Sequence, residues 1–495
     1  MNSLQSLFPG FNRWIGRGPK STLAQALSKA EAASLSSLSE LSVLFGRFIP
    51  DALLKPAASR KHSRQRVYSF RSTFWAFLSQ VLTPDTACLE VVRKVQCFCS
   101  ELGLPIPSSS DSAYCQARGK LDRDRLMNIH HGVAANLQQR LSKAWLWRGR
   151  QVRVVDGTGI RLPDTAVNQK VYPQPSEQRE GCGFPVMQVV ACFCLHTGAL
   201  LHWVSSKLSA HESPLLRSML SLLEAGDVLL ADRGFSSYSN LALCLKHRMD
   251  ALMRLHQARK VDLRHATRLG KHDWLATWKR PQWRPQWKSR WIRSEWEELP
   301  KTLTVRVARL QVKVRGFRVK ELWIVTTLTD PVKYPKHDLA ELYRIRWQVE
   351  LFFRDIKTSM GMEQLRCKTP ERVENEFILF AIAYNLLRLL ITEAAGTVQI
   401  APYRISFKNT ADTLRSYRKA IYANRDKPRK LQRIFADLRA IIASQRVADR
   451  PDRNEPRAVK LRPKPFQRLT QPRAKMRVSP SRRNKGNSRP KAPLT

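Results

Sequence analysis

Hydrophobic positions set out two kinds of segment along this chain. Over residues 1–147, apolar side chains recur at helical intervals, as in "LAQALSKAEAASLSSLSELSVLF" and "DRDRLMNIHHGVAANLQQRLSKAWLW". This spacing predicts a helical block. "LGLPIPSSSDSAYCQ" reads as a loop entering a further helix, with Ser and Asp available as caps. The texture changes at Gln151. "QVRVVDGTGIRL" predicts a strand that ends at Asp156 in a Gly-rich turn, and "FPVMQVVACFCLHTGALLHWVSSKL" predicts two strands joined at His196-Thr197-Gly198. A helix over "SPLLRSMLSLLEAG", a buried strand over "DVLLADRGF", a helix over "SYSNLALCLKHRM" and a strand over "DALMRL" follow. The order β-β-β-α-β-α-β describes a mixed sheet with helices packed on it.

The next helix is delayed. Residues 258–335 intervene, and they hold the β-rich runs "TLTVRVARLQVKV" and "FRVKELWIVTTLTD". One long helix is then predicted over "KHDLAELYRIRWQVELFFRDIKTSM" and a second from Pro370 to Ala395. The apolar stretch "EFILFAIAYNLLRLLI" contains Asn385 and Arg388. It is too short and too interrupted for a membrane span and reads as a buried helix. The predicted layout is therefore α/β. A helical block, 1–147, is a candidate DNA-end-binding domain or a plain packing domain. A core in two parts, 148–257 and 336–398, is split by a β-rich insertion, 258–335. A helical region, 399–450, is a candidate dimerisation surface, and a basic tail, 451–495, follows.

Charge narrows the class. Lys and Arg number 86 against 40 Asp and Glu, a formal net charge of +46. A compact body this positive repels itself unless a polyanion is its normal partner. Nucleic acid fits, because each phosphate contact made by Lys or Arg releases counterions. The last 45 residues hold fourteen basic and two acidic residues, a net of +12. Such a tail is expected to be disordered when free and to bind phosphates without sequence preference. The nine cysteines form no C-x-x-C pair and their number is odd. They read as scattered reduced thiols of a cytosolic protein, not a disulfide frame or a zinc site. The N-terminus lacks the charged-then-apolar pattern of a secretory signal, so the expected location is the cytoplasm.

Three carboxylates stand out. Asp156 and Asp232 each close a buried strand and precede glycine within two residues, which puts a rigidly held oxygen ligand at the sheet's rim. Either one alone would be read as an ordinary turn aspartate. Glu350 lies in the predicted long helix. Tyr343, Arg346, Glu350 and Lys357 fall at offsets of 0, 3, 7 and 14. At about 100° per residue they project within about 60° of one another. A salt-bridged surface face would show similar spacing.

"YRIRWQVELFFRDIK" fits Tyr-x2-Arg-x3-Glu-x6-Lys without a gap. It resembles the signature of the DDE transposases of the insertion-sequence-four family. "VVDGTGIRLPD" and "VLLADRGFSSY" resemble that family's two Asp regions, in the same order, and "EPRAVKLRPKPFQRLTQPR" resembles its C-termini. The resemblance is strong over residues 150–395. It implies a ribonuclease H-like catalytic core with a β-rich insertion between the second Asp and the Glu. Here Glu350 lies 118 positions after Asp232. It also implies a bacterial, nucleoid-associated transposase. Such an enzyme binds the terminal repeats of an insertion sequence, cleaves the DNA ends and transfers their 3′-OH groups to target DNA, commonly as a homodimer. Asp156, Asp232 and Glu350 would then be catalytic and hold the metal, and Tyr343, Arg346 and Lys357 would bind DNA phosphates. The residue chemistry agrees. Carboxylates without a His/Cys cluster favour Mg²⁺ or Mn²⁺. Two such ions about 3.5–4 Å apart can activate a water and stabilise a leaving 3′ oxygen.

Other candidates are weaker. His211 and Glu212, in "SAHESP", read as a helix N-cap region with a solvated Glu in preference to a metal or base role. His130 and His131 have no partner at ligand spacing, and Asp164 reads as a loop residue. Six of the thirteen tryptophans crowd between Asp273 and Trp296, with Lys and Arg among them. Such rings suit unpaired bases, with stacking of about 1–3 kcal/mol per base. The plainer reading gives most of them to the insertion's own small core and leaves two or fewer for DNA. A protein that only holds DNA, or a plain metal-dependent nuclease, would also account for the charge. The intact carboxylates disfavour the first, and the full helical signature with its long insertion disfavours the second.

Overall fold

The computed structural model describes residues 37–54, 68–101, 106–256, 262–282, 291–311 and 321–447, together with 469, 471 and 472. The N-terminal stretch before Ser37 and nearly all of the basic tail therefore lie outside the described residues. Nine strands form one mixed sheet in the order β3-β2-β1-β4-β5-β9-β8-β7-β6. β1 (Val152–Arg161), β2 (Val186–Cys194) and β3 (Leu200–Lys207) make an antiparallel meander turned at Gly198, which has φ +72°. β4 (Val228–Ala231) runs parallel to β1, and β5 (Asp250–Arg254) parallel to β4. The β-rich block does not stand apart from this sheet. β9 (Glu321–Thr326) pairs antiparallel with β5, and β8 (Thr302–Gln311), β7 (Asp273–Lys279) and β6 (Thr267–Gly270) continue outward from it.

Alternation along the strands feeds two cores. Val152, Val154, Leu230 and Leu252 point into one apolar cluster, while Val155, Leu229, Ala231 and Met253 point into the other. Burial on both faces explains why these strands read as nearly unbroken apolar runs. The strand termini hold a finding the sequence did not suggest. β1 does not end at Asp156. It runs through Gly157-Thr158-Gly159, because β2 stays paired with it as far as Arg161. What stops at this level is β4: its last partner pair is Val155 with Ala231. Asp156 and Asp232 therefore follow the last shared rung of two parallel strands.

Helices cover both faces. α1 (Ser37–Phe45), α2 (Phe70–Leu82), α3 (Cys88–Glu101), α4 (Ser112–Gly119) and α5 (Arg123–Gln139) form the N-terminal block. Side chains of α1, α2 and α5 share one apolar cluster with the sheet. α6 (Glu212–Leu220) and α7 (Tyr238–Lys246) cover the opposite face. The single long helix expected from Lys336 is divided. α8 (Lys336–Ile345) gives way at Arg346-Trp347 to α9 (Gln348–Arg354), and a π-helical turn follows over Asp355–Ser359. Tight bonds from Arg346 N–H to Tyr343 O (3.2 Å) and from Glu350 N–H to Trp347 O (3.1 Å) draw the chain in. The bond from Met360 N–H to Asp355 O (3.1 Å) then widens it. A tightened turn followed by a widened one nearly restores the helical phase, so the apolar spacing hides the break.

α10 (Pro370–Thr397) starts with Pro at its first position, and α11 (Phe407–Ala423) and α12 (Pro428–Ser444) pack beyond it. α10 is long and apolar enough to cross a membrane, but its most hydrophobic window is 94 % buried inside the fold. Its two polar interruptions have partners. Asn385 donates to Leu200 O (2.8 Å). Arg388 donates to the buried carboxylate of Asp355 (2.7 Å) and to the hydroxyl of Tyr384 (2.9 Å), which itself donates to Gly198 O (2.7 Å). This chain of bonds ties the π turn to the central helix and to the β2–β3 turn.

Candidate active site

The gap where β1 and β4 part company is the centre of the site. Asp156 lies on β1 with its Oδ1 accepting from the N–H of Gly157 (2.8 Å). Asp232 begins the turn after β4, which closes with Phe235 N–H on Asp232 O (3.1 Å). By strand alternation Asp156 faces the layer that carries α8 and α9. From that layer Tyr343 donates its hydroxyl to Asp232 Oδ1 (3.3 Å). Arg346 places Nη1 3.8 Å from Asp156 and Nη2 3.6 Å from Glu350. The tight turn at Arg346-Trp347 brings this about, since it carries the guanidinium and the next carboxylate toward the same opening. Lys357, on the π turn, donates to Thr158 Oγ1 (3.2 Å) and Gly159 O (3.1 Å). That seat exists because β1 continues past Asp156.

The six signature residues therefore meet on one side of the sheet, with Lys357 set further along β1. The electrostatics are those of crowded, half-buried acids. Burial raises the Asp156 carboxyl, the charge of Asp232 adds to the rise, and the Gly157 N–H and Arg346 oppose it. Burial likewise raises Glu350, with Arg346 opposing and Asp156 and Asp232 adding to the rise. Burial, with Arg161 beside it, lowers the Lys357 ammonium. Trp347, between Arg346 and Glu350, is 55 % exposed, an unusual setting for an indole.

One residue departs from its expected role. Glu212 is not a solvated residue of a cap region. It is half-buried, accepts from Gln188 Nε2 (3.1 Å), and sits close enough to Asp156 and Asp232 for both charges to raise its carboxyl, after burial itself. His211, its neighbour, is exposed and makes no cap bond through its side chain. Asp164 accepts from Gln169 (2.9 Å) in its loop. His130 is a core residue bonded to Leu200 O (3.0 Å). A second group of potential metal ligands exists: Cys88, Asp111 and Cys115 bring ligand atoms within 4.8 Å of one another. The Arg118 guanidinium donates to Cys88 Sγ (3.0 Å), which opposes a cation there.

Four of the six crowded tryptophans lie among the described residues, and they pack. Trp274 stacks on Trp323 with centroids 5.6 Å apart, Trp278 meets Tyr238 edge-on, and Trp291 meets Trp296 edge-on under the guanidinium of Arg217. Trp278, Trp291 and Trp296 lie against the second apolar cluster. Trp283 and Trp287 fall outside the described residues.

Residues 147–386 match the family described as transposase DDE domain. The chain is 25 % identical over 409 residues to transposase InsG for insertion sequence element IS4 of Escherichia coli (strain K12), covering 81 % of this chain and 87 % of that protein. It is 34 % identical over 93 residues to putative transposase y4zB of Sinorhizobium fredii (strain NBRC 101917 / NGR234), covering 17 % and 26 % respectively. Among solved structures, a piggyBac transposase synaptic complex with hairpin DNA aligns with a TM-score of 0.42 and 8 % identity over 81 % of this chain and 85 % of that one.

Proposed function

We propose that this chain, as a DDE transposase of the insertion-sequence-four family, binds the terminal repeats of an insertion sequence, cleaves the DNA ends and transfers their 3′-OH groups to target DNA. The observation that carries this reading is the approach of Asp156, Asp232 and Glu350, from three separate elements, to a single opening beside Arg346. We read β1–β5 with α8–α10 as a ribonuclease H-like core and β6–β9 as its β-rich insertion. The N-terminal helices would then be the end-binding block and 399–450 the dimerisation region. The partners are double-stranded DNA, as element end and as target, and a second copy of the chain in the synaptic complex.

The donor set fits a hard divalent cation. All its ligand atoms are carboxylate oxygens, they are half-buried, they repel one another, and Arg346 balances them only at loose distances of 3.6 and 3.8 Å. Asp156, Asp232 and Glu350 would hold two Mg²⁺ ions, or Mn²⁺. When bound, such ions activate water near neutral pH and stabilise a leaving oxygen. The remaining residues grip DNA. Arg346 can meet a phosphate with two parallel N–H groups, and Lys357 supplies a point charge further along β1. Tyr343, oriented by its bond to Asp232, presents a ring and a hydroxyl at the same mouth. The exposed indole of Trp347 offers a surface on which a base displaced from the cut end can stack.

The test is a joining assay on the full chain with Mg²⁺, a duplex carrying the element's terminal repeat and a plasmid target. The repeats are read from DNA flanking the gene. A product with the element's 3′ end covalently joined to plasmid is expected. Cleavage without joining would leave a nuclease, and binding without cleavage a DNA-holding protein.

A further inference from the structure

We propose that Glu212 is a fourth carboxylate of the metal site, reaching it from the layer of the fold opposite Glu350. This inference rests on the reading of the site as a divalent-metal centre. Its basis is where Glu212 lies. It is the first residue of α6, whose apolar side packs into the second cluster, so it belongs to the face of the sheet away from α8 and α9. Its side chain meets the sheet at the level where β4 leaves β1. A Cβ placed on Gly157 would lie 1.9 Å from Glu212 Oε1, and one placed on Gly234 would lie 3.6 Å from Oε2. The carboxylate thus fills the space left by the glycine that follows Asp156 and touches the glycine that ends Asp232-Arg233-Gly234. Each aspartate has a glycine beside it, and the room at both glycines faces one glutamate.

A second observation points to a ligand. Gln188 on β2 is 8 % exposed and aims its amide at Glu212, donating Nε2 to Oε1 (3.1 Å). Its own Oε1 is buried and meets no hydrogen-bond donor among the described residues. A buried acceptor of this kind carries a desolvation cost unless a hydrogen-bond donor or a cation meets it. The electrostatic neighbours of Glu212 are Asp156 and Asp232, both of like charge. A purely structural glutamate would be better placed beside a cation. One carboxylate within β1, one just after β4, one on α9 and one on α6 flank the opening from both layers, which suits a pair of ions better than one.

The test is Mn²⁺ binding to the full-length protein, followed by electron paramagnetic resonance, in wild type and in Glu212→Gln, Asp156→Asn and Glu350→Gln. Glu212→Gln keeps shape and can still accept from Gln188. It is expected to bind Mn²⁺ at least about tenfold more weakly, with a melting temperature without metal at or above that of wild type. Glu212→Asp, which keeps the charge but withdraws it by one methylene, is expected to fall between the two, and it serves if Glu212→Gln does not fold. Wild-type Mn²⁺ affinity in Glu212→Gln, with loss in Asp156→Asn and Glu350→Gln, overturns this inference and leaves the metal centre standing. Unchanged binding in all three variants overturns the metal centre and this inference with it.

Discussion

Asp156 is held where its charge is costly. Burial and Asp232 raise its carboxyl above the ordinary 3.8, and Arg346 and the Gly157 N–H only partly oppose this. A carboxyl whose folded-state pKa is raised binds its proton more readily in the folded protein. Its contribution to stability is therefore lost as pH rises from about 4 through the raised value, and at neutral pH the ionised group weighs against the fold. Asp156→Asn should accordingly melt higher than wild type at pH 7 without metal, and the difference should shrink toward pH 4. Thermal melts at the two pH values check this, and a lower melting temperature at pH 7 would contradict it. Tyr343, Arg346, Glu350 and Lys357 were readable as candidates because they share one fixed spacing, and Asp156 and Asp232 because each follows an apolar run and precedes a glycine. Glu212 was not, because its setting depends on Gly157 and Gly234, which reach it only through folding. The empty positions beside the two aspartates were the one trace of it in the sequence.

At the scale of elements, one buried ion pair ties the π turn over Asp355–Ser359 to α10. The Asp355 and Arg388 side chains are 10 % and 2 % exposed and 2.7 Å apart. Removing one partner of such a pair leaves a buried charge alone, at a cost of about 3–5 kcal/mol. Arg388→Met should lose about that much stability in urea unfolding. Adding Asp355→Asn should restore part of it, because the two residues act as one unit. Equal destabilisation in the single and double variants would show that the pair is not what holds the turn. Strands β1–β5 could be read from the sequence because a buried sheet writes long apolar runs between turns. The break at Arg346-Trp347 could not, since the apolar phase is nearly the same on either side. The continuation of the sheet into β6–β9 was equally hidden, because the pairing of Met253 with Val325 joins residues far apart in the chain.

Across the whole molecule, the N-terminal helices and the sheet are joined through histidines that are buried neutral. Burial pushes His130 down to about 3, with His131 and His202 adding to the fall. Burial pushes His196 and His202 down to about 4. Unfolding lets each take up a proton near its ordinary 6.5, so the stability they give is present above that pH and is lost as pH falls toward 4. The melting temperature should therefore fall steeply between pH 6.5 and pH 4. A flat profile over that interval, followed by melts at half-unit steps, would contradict the placement of these rings. The formal charge of +46 points to nucleic acid from composition alone. The crowded tryptophans are better explained by packing, at least for the four that are described.

End cleavage tests the central claim most directly. The full chain and its Asp156→Ala, Asp232→Ala, Glu350→Ala and Lys357→Ala variants would be given a terminal-repeat duplex and Mg²⁺, with binding measured alongside. Loss of several kcal/mol of transition-state stabilisation, about three powers of ten in rate, is expected in each carboxylate variant while end binding persists. Lys357→Ala should instead weaken binding and lower its salt slope by about one. Cleavage at the wild-type rate by any of the three carboxylate variants would contradict the assignment.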